Sequence, residues 1–159
     1  MAEKSVIGVD FDGIKIRVGR VRNHSIIKSH VDDISYHESE DHIIKEIIRS
    51  IKKQFAKDTA GIGIGVPSLV DVEKGVVYLV KDIPSWEEVH LKEKLEKHFK
   101  VPVYVNNDAN CFTVGEKYFG KGKKYKNMVG IIVGSGFRAG LISENRLSSG
   151  VNGGAGEFG

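Results

Sequence analysis

An aspartate set among asparagines, Asn106-Asn107-Asp108-Ala109-Asn110, is the group in this sequence best placed to act on a hydroxyl. It lies where a short apolar run ends and a helical pattern begins, and in open α/β sheets ligands collect at the carboxyl ends of strands. A carboxylate there can take the proton of a hydroxyl as a general base, and Asn107 can hydrogen-bond neighbouring hydroxyls. The same aspartate can instead cap the helix that follows. Four polar side chains in one turn exceed what a cap requires.

Two glycine turns accompany it. The first, Asp10-Phe11-Asp12-Gly13-Ile14-Lys15, sits between two strand patterns. Backbone N–H groups in such a turn can approach a phosphate, and a carboxylate at a strand end can hold a metal through water. Asp-Gly is also the commonest chemistry of a plain hairpin, which remains the alternative. The second turn, Gly134-Ser135-Gly136, is followed by Arg138 and offers the same two readings.

These residues need elements to hold them. Val6–Asp10 and Ile14–Val21 read as strands, the second by strict alternation, and Ser25–Val31 as a third, so the chain opens as an antiparallel meander. Ile43, Ile44, Ile47, Ile48, Ile51 and Phe55 then share one helical face, which predicts a helix over 39–57 capped by Ser39. Ala60–Val66 predicts a buried strand reached by a crossover. Asp71–Val80 predicts a hairpin about Lys74-Gly75. Ser85-Trp86-Glu87-Glu88 matches a capping box before a second helix carrying Leu91, Leu95 and Phe99. Pro102–Val105 predicts a strand and 106–108 a polar turn. A third helix follows with Phe112, Glu116 and Phe119, stopped by Gly120. Met128–Val133 and Ala139–Ser143 predict two more strands.

The bulk properties narrow the classes. The 159 residues carry a formal net charge of only +3. The run Lys121, Lys123, Lys124 and Lys126 reads as a solvated loop, so no nucleic-acid partner is expected. The apolar runs are too short to span a bilayer and no signal peptide is visible, so a cytoplasmic protein without membrane contact is expected. The single cysteine, Cys111, forms no internal disulfide. None of the six histidines stands at metal-ligand spacing with it, so no metal ligands are assigned within the chain.

In this order and spacing the motifs resemble the ROK family of sugar kinases and sugar-responsive repressors. Asp10–Lys15 resembles its D-x-G-G-T-K/N motif. Gly63-Ile64-Gly65-Val66-Pro67 resembles G-I-G-V-P-G, and Ile83-Pro84-Ser85-Trp86 resembles N-L-P-x-W. Asn107–Glu116 resembles N-D-A-N-A-A-A-L-G-E, Gly134–Gly140 resembles G-T-G-I-G-G-G, and Gly150–Gly159 resembles G-x-x-G-x-A-G-E-I-G-H. The resemblance implies an α/β, actin-like ATPase fold of the ribonuclease H type, with residues 1–118 as the N-terminal domain and 119–159 as the start of a second. It implies ATP-dependent phosphorylation of a hexose hydroxyl with Mg2+, and a homodimer. By matching position Asp108 is the catalytic base, and Asn107 and Glu157 bind sugar. Asp10, Asp12, Gly13, Lys15, Gly134, Ser135, Gly136 and Arg138 face magnesium and phosphates.

Members of that family run to roughly twice this length. The chain is therefore expected to be an N-terminal portion, incomplete as a kinase alone, with any zinc-binding residues beyond Gly159. It also departs from the family. Asp12 stands for a glycine, Ile14 for a threonine and Arg138 for another glycine, while Ser68, expected among the sugar-binding residues, replaces a glycine and alters the sugar pocket. A carboxylate ~4 Å from a phosphate is repelled by about 4 kcal/mol at an effective dielectric of ~20. Arg138, in the facing turn, is expected to lie near Asp12 or the phosphates and to offset part of that cost. A sugar-binding module without catalysis, a degenerate kinase or the sensor half of a regulator, is the alternative function.

Overall fold

The computed structural model describes residues 3–133, 136–150 and 154–156. Strands β1 (Ser5–Phe11), β2 (Lys15–Arg22) and β3 (Ser25–Asp33) form the expected antiparallel meander. β1 buries Ser5, Ile7, Val9 and Phe11, so its alternation turns Asp10 to the opposite, open face. Asn23 and His24 both take positive φ in the β2–β3 turn, the requirement of a tight primed hairpin.

Helix α1 (Glu40–Lys52) begins where Ser39 accepts a hydrogen bond from the His42 N–H, and it buries Ile43, Ile44, Ile47 and Ile51. It ends five residues before Lys57, the expected limit; Phe55 lies past the end and stacks on Phe99 with ring centroids 4.9 Å apart. β4 (Thr59–Val66) then runs parallel beside β1.

A small antiparallel sheet follows, of β5 (Leu69–Asp71), β6 (Val76–Tyr78) and β7 (Glu88–Val89). Gly75 supplies the positive φ of the expected hairpin turn. The capping box at Ser85 does not form. Glu88 is taken into β7, paired with Tyr78, and the Ser85 hydroxyl donates to the Glu38 carbonyl at 2.9 Å. Helix α2 (Leu91–Phe99) starts later, with His90 before it and no side-chain cap.

β8 (Val103–Asn107) adds beside β4, giving the sheet order β3-β2-β1-β4-β8. One face of this sheet packs on α1 and α2 around Phe11 and Trp86, whose rings lie 5.4 Å apart and are fully buried. No turn separates β8 from the next helix: the strand runs through Asn107 and α3 (Asp108–Tyr118) begins at once. Beyond it, β9 (Met128–Val133), β10 (Phe137–Ser143) and β11 (Arg146–Ser148) make a second antiparallel sheet.

The third helix packs through polar residues. Its periodic aromatics Phe112 and Phe119 are exposed, while Asn110, Thr113 and Lys117 are buried. The Lys117 ammonium donates to the carbonyls of Lys123 and Tyr125 and to Asn145 Oδ1, at 3.3, 2.7 and 2.8 Å. It thereby pins the lysine-rich segment, which contains a 3-10 turn over Lys121–Lys124, and the β10–β11 turn. Gly130 of β9 and Gly140 of β10 face Thr113 so closely that a Cβ on either would collide with its Oγ1. Two bare strand positions thus let α3 lie directly on the second sheet while its first turn stays against β4.

Candidate active site

Asp108 is placed by Asn107. The Asn107 Oδ1 accepts from the N–H groups of Ala109 and Asn110 at 2.9 and 3.2 Å, so asparagine, not the aspartate, is the helix cap. Asp108 stands first inside the helix. Gly65 on β4 makes room for it, since a Cβ there would lie 3.3 Å from Asp108 Cα and 3.4 Å from Cys111 Sγ. Asp108 Oδ1 accepts from the Ala109 N–H at 2.7 Å, and Oδ2 lies 3.2 Å from Nη1 of Arg138. Only 9 % of the Asp108 side chain and 21 % of the Arg138 side chain reach solvent.

Asp108, Arg138, Asp10, Asp12 and Arg17 line one cleft of about 420 Å3, with Cys111 and Phe112 from the next turn of α3. That size falls among small-molecule sites. Asp108 thus borders the cleft together with Asp10 and Asp12 of the first glycine turn and with Arg138, while Gly134 and Ser135 of the second turn lie outside the described residues.

The first turn is organised differently from the expectation. Asp12 Oδ1 accepts from the N–H groups of Ile14 and Lys15 at 3.0 and 2.7 Å, and Gly13 turns the chain at φ 96°. Arg17 Nη1 bridges Asp12 Oδ2 and Asp10 Oδ2, each at 3.0 Å. Burial opposes ionisation of Asp12, but the hydrogen bonds from Lys15, Ile14 and Arg17 outweigh it and hold its carboxyl below the usual range. The cation paired directly with Asp12 is thus Arg17, while Arg138, which lines the same cleft, pairs with Asp108. The antiparallel register explains this, since Arg17 stands directly across β1 from Asp10.

The other assigned residues divide. Lys15 turns its ammonium to Asp33, 3.9 Å away on β3, and only its N–H faces the turn. The Ser68 hydroxyl is spent on the carbonyls of Tyr78 and Leu79, and its own carbonyl accepts from Asn107 Nδ2 at 3.2 Å. Ser68 and Asn107 therefore stitch the ends of β4, β6 and β8 together. Gly136 leads into β10, while Gly134, Ser135 and Glu157 lie outside the described residues. Arg17 and Cys111 were missed by motif reading. Arg17 was accessible from alternation in β2, because strand pairing must put a residue opposite Asp10. Cys111 keeps an exposed edge, yet desolvation of the thiol, with Asp108 and Asp10 nearby, pushes it up to about 11.

The model of the ROK family matches residues 6–159. The chain belongs to the ROK family. The xylose repressor of Caldicellulosiruptor bescii is 34% identical over 98% of this chain and 40% of its own length. The glucokinase of Thermotoga maritima is 31% identical over 100% of this chain and 51% of its own. Among solved structures, a ROK glucokinase from Streptomyces griseus, in complex with glucose and AMPPNP, superposes with a TM-score of 0.88 at 32% identity. That match covers 98% of this chain and 49% of the other. The fold is the actin-like ATPase fold of ROK sugar kinases. This ROK chain spans about half the length, or less, of these relatives. Among the described residues no helix is long and apolar enough to cross a membrane, and no three His, Cys, Asp or Glu side chains group to hold a metal.

Proposed function

We propose that the whole protein binds a hexose in the cleft at the carboxyl ends of β1, β4 and β8, with Asp108 accepting a hydrogen bond from a sugar hydroxyl. One observation carries this reading: Asn107 has taken over the helix cap, so the nearly buried Asp108 carboxylate is delivered to the cleft wall. A carboxylate in that state is acceptor-only, which suits a hydroxyl donor. Titration calorimetry of the whole protein against glucose, mannose, fructose and N-acetylglucosamine tests it. Binding of one of them that Asp108→Asn weakens roughly 10- to 100-fold is the expected result. Equal affinity in the variant would exclude Asp108 from recognition.

Phosphorylation of that hydroxyl by ATP with Mg2+ is the second reading. The intact Asp108 and the glucokinases among the relatives favour it. ATP and magnesium do not fit the first turn as it is built. Its two N–H groups are taken by Asp12, and Asp10, the carboxylate suited to a magnesium, is held by Arg17. A coupled assay of hexose-dependent ADP release separates the readings, with Asp108→Asn as the control for background hydrolysis.

A further inference from the structure

Convergent N–H groups at a tight turn make a seat for an anion. The N–H groups of Ile14 and Lys15 converge in this way, and the atom they meet is Asp12 Oδ1. The other oxygen of the same carboxylate is clamped by Arg17, which also holds Asp10. Asp12 itself, with Asp10 and Arg17, lines the cleft that Asp108 lines. The anion in the seat is therefore the chain's own, fixed by two backbone hydrogen bonds and by the ion pair with Arg17.

We infer that Asp12 is a specificity-determining residue that occupies this seat against phosphate oxygens, so that the cleft accepts a neutral sugar and turns away a nucleotide. The inference rests on the sugar-binding reading above for what the cleft does accept. Two effects combine. A phosphate oxygen seeking the Ile14 and Lys15 N–H groups must first unseat the carboxylate that already satisfies them. The displaced carboxylate then stays close to the phosphate, and like charges at that range repel strongly in a partly buried cleft. Arg17 does not relieve this, because its guanidinium already bridges Asp10 and Asp12.

Substitution at this position separates the two effects. Asp12→Asn keeps an oxygen that can accept from both N–H groups and removes the charge. Asp12→Gly removes both. Asp12→Ala serves in place of the glycine variant should that one fail to fold, as judged by thermal melting. The whole protein and each variant are titrated with AMPPNP and Mg2+, and in parallel with the hexose panel. The expected result is no measurable nucleotide binding by the unsubstituted protein, and nucleotide affinity in Asp12→Gly at least about tenfold tighter, with Asp12→Asn between them. Micromolar AMPPNP binding by the unsubstituted protein would overturn the inference. So would a glycine or alanine variant no tighter than the parent, or an asparagine variant equal to the glycine one, which would leave charge alone as the cause. The hexose titrations answer separately for the sugar-binding reading: their failure leaves the nucleotide result standing, and the reverse.

Discussion

Arg138 Nη1 and Asp108 Oδ2 lie 3.2 Å apart, joining the second sheet to the first turn of α3 across the cleft. The pair is largely desolvated, so removing Arg138 takes from Asp108 the cation that faces it. Arg138→Gln is expected to destabilise the whole protein by about 3 kcal/mol in urea unfolding. The double variant with Asp108→Asn should recover much of that loss, because it removes the carboxylate charge that had faced Arg138. Additive losses in the cycle would show that the two side chains are not coupled.

Asp12 links the first turn to acid stability. Its folded carboxyl is held below its ordinary value, so its contribution is present above the unfolded pKa of about 3.9 and is lost as pH falls through the folded one. The stability difference between parent and Asp12→Asn should be steady near neutrality and shrink as pH drops below about 4. Urea midpoints collected across that range check it. A difference that grows in acid would reverse the assigned sign.

Cys111 reports on the charge of Asp108. With its thiol pushed up to about 11, roughly one molecule in a thousand carries the thiolate at pH 8. Iodoacetamide should label it slowly although the residue has an exposed edge. Desolvation is the larger cause and stays in place, but Asp108→Asn removes one of the two neighbouring negative charges. Labelling should then accelerate several-fold, as read by intact mass against time, and a bound hexose should slow it.

The contact between α3 and the second sheet depends on a missing side chain. A Cβ on Gly130 would collide with Thr113 Oγ1 and stand 2.9 Å from its Cβ. Gly130→Ala is expected to cost about 1–3 kcal/mol through overpacking. Adding Thr113→Ala removes the colliding oxygen and should return part of that stability in thermal or urea melts. No return would place the strain elsewhere.

Much of this architecture was local and could be read in order along the chain. The alternation in β2, the isoleucine stripe of α1 and the Ser39 cap each express contacts within a few residues, so tertiary structure had little room to change them. The motif series from Asp10 to Gly159 was also legible, and with it the family. Local signals failed where a strand competed for the same residues. Ser85-Trp86-Glu87-Glu88 spells a helix start, yet pairing with β6 draws Glu88 into a strand. In α3 the aromatic spacing marked the outer face, because the inner face is filled by Thr113 and Lys117 against glycines and carbonyls that lie far off in sequence.

The residue types of the cleft, three aspartates and two arginines, were present in the sequence for any reader to list. Which arginine serves which aspartate was not. A guanidinium bonds only what lies within about 3 Å of its nitrogens. Strand register carries Arg17 to Asp10 and Asp12, and the close packing of α3 on β10 carries Arg138 to Asp108. Composition and spacing set the chemistry available to this protein, while the folded backbone, by fixing distances of a few ångströms between remote residues, decided how those charges pair.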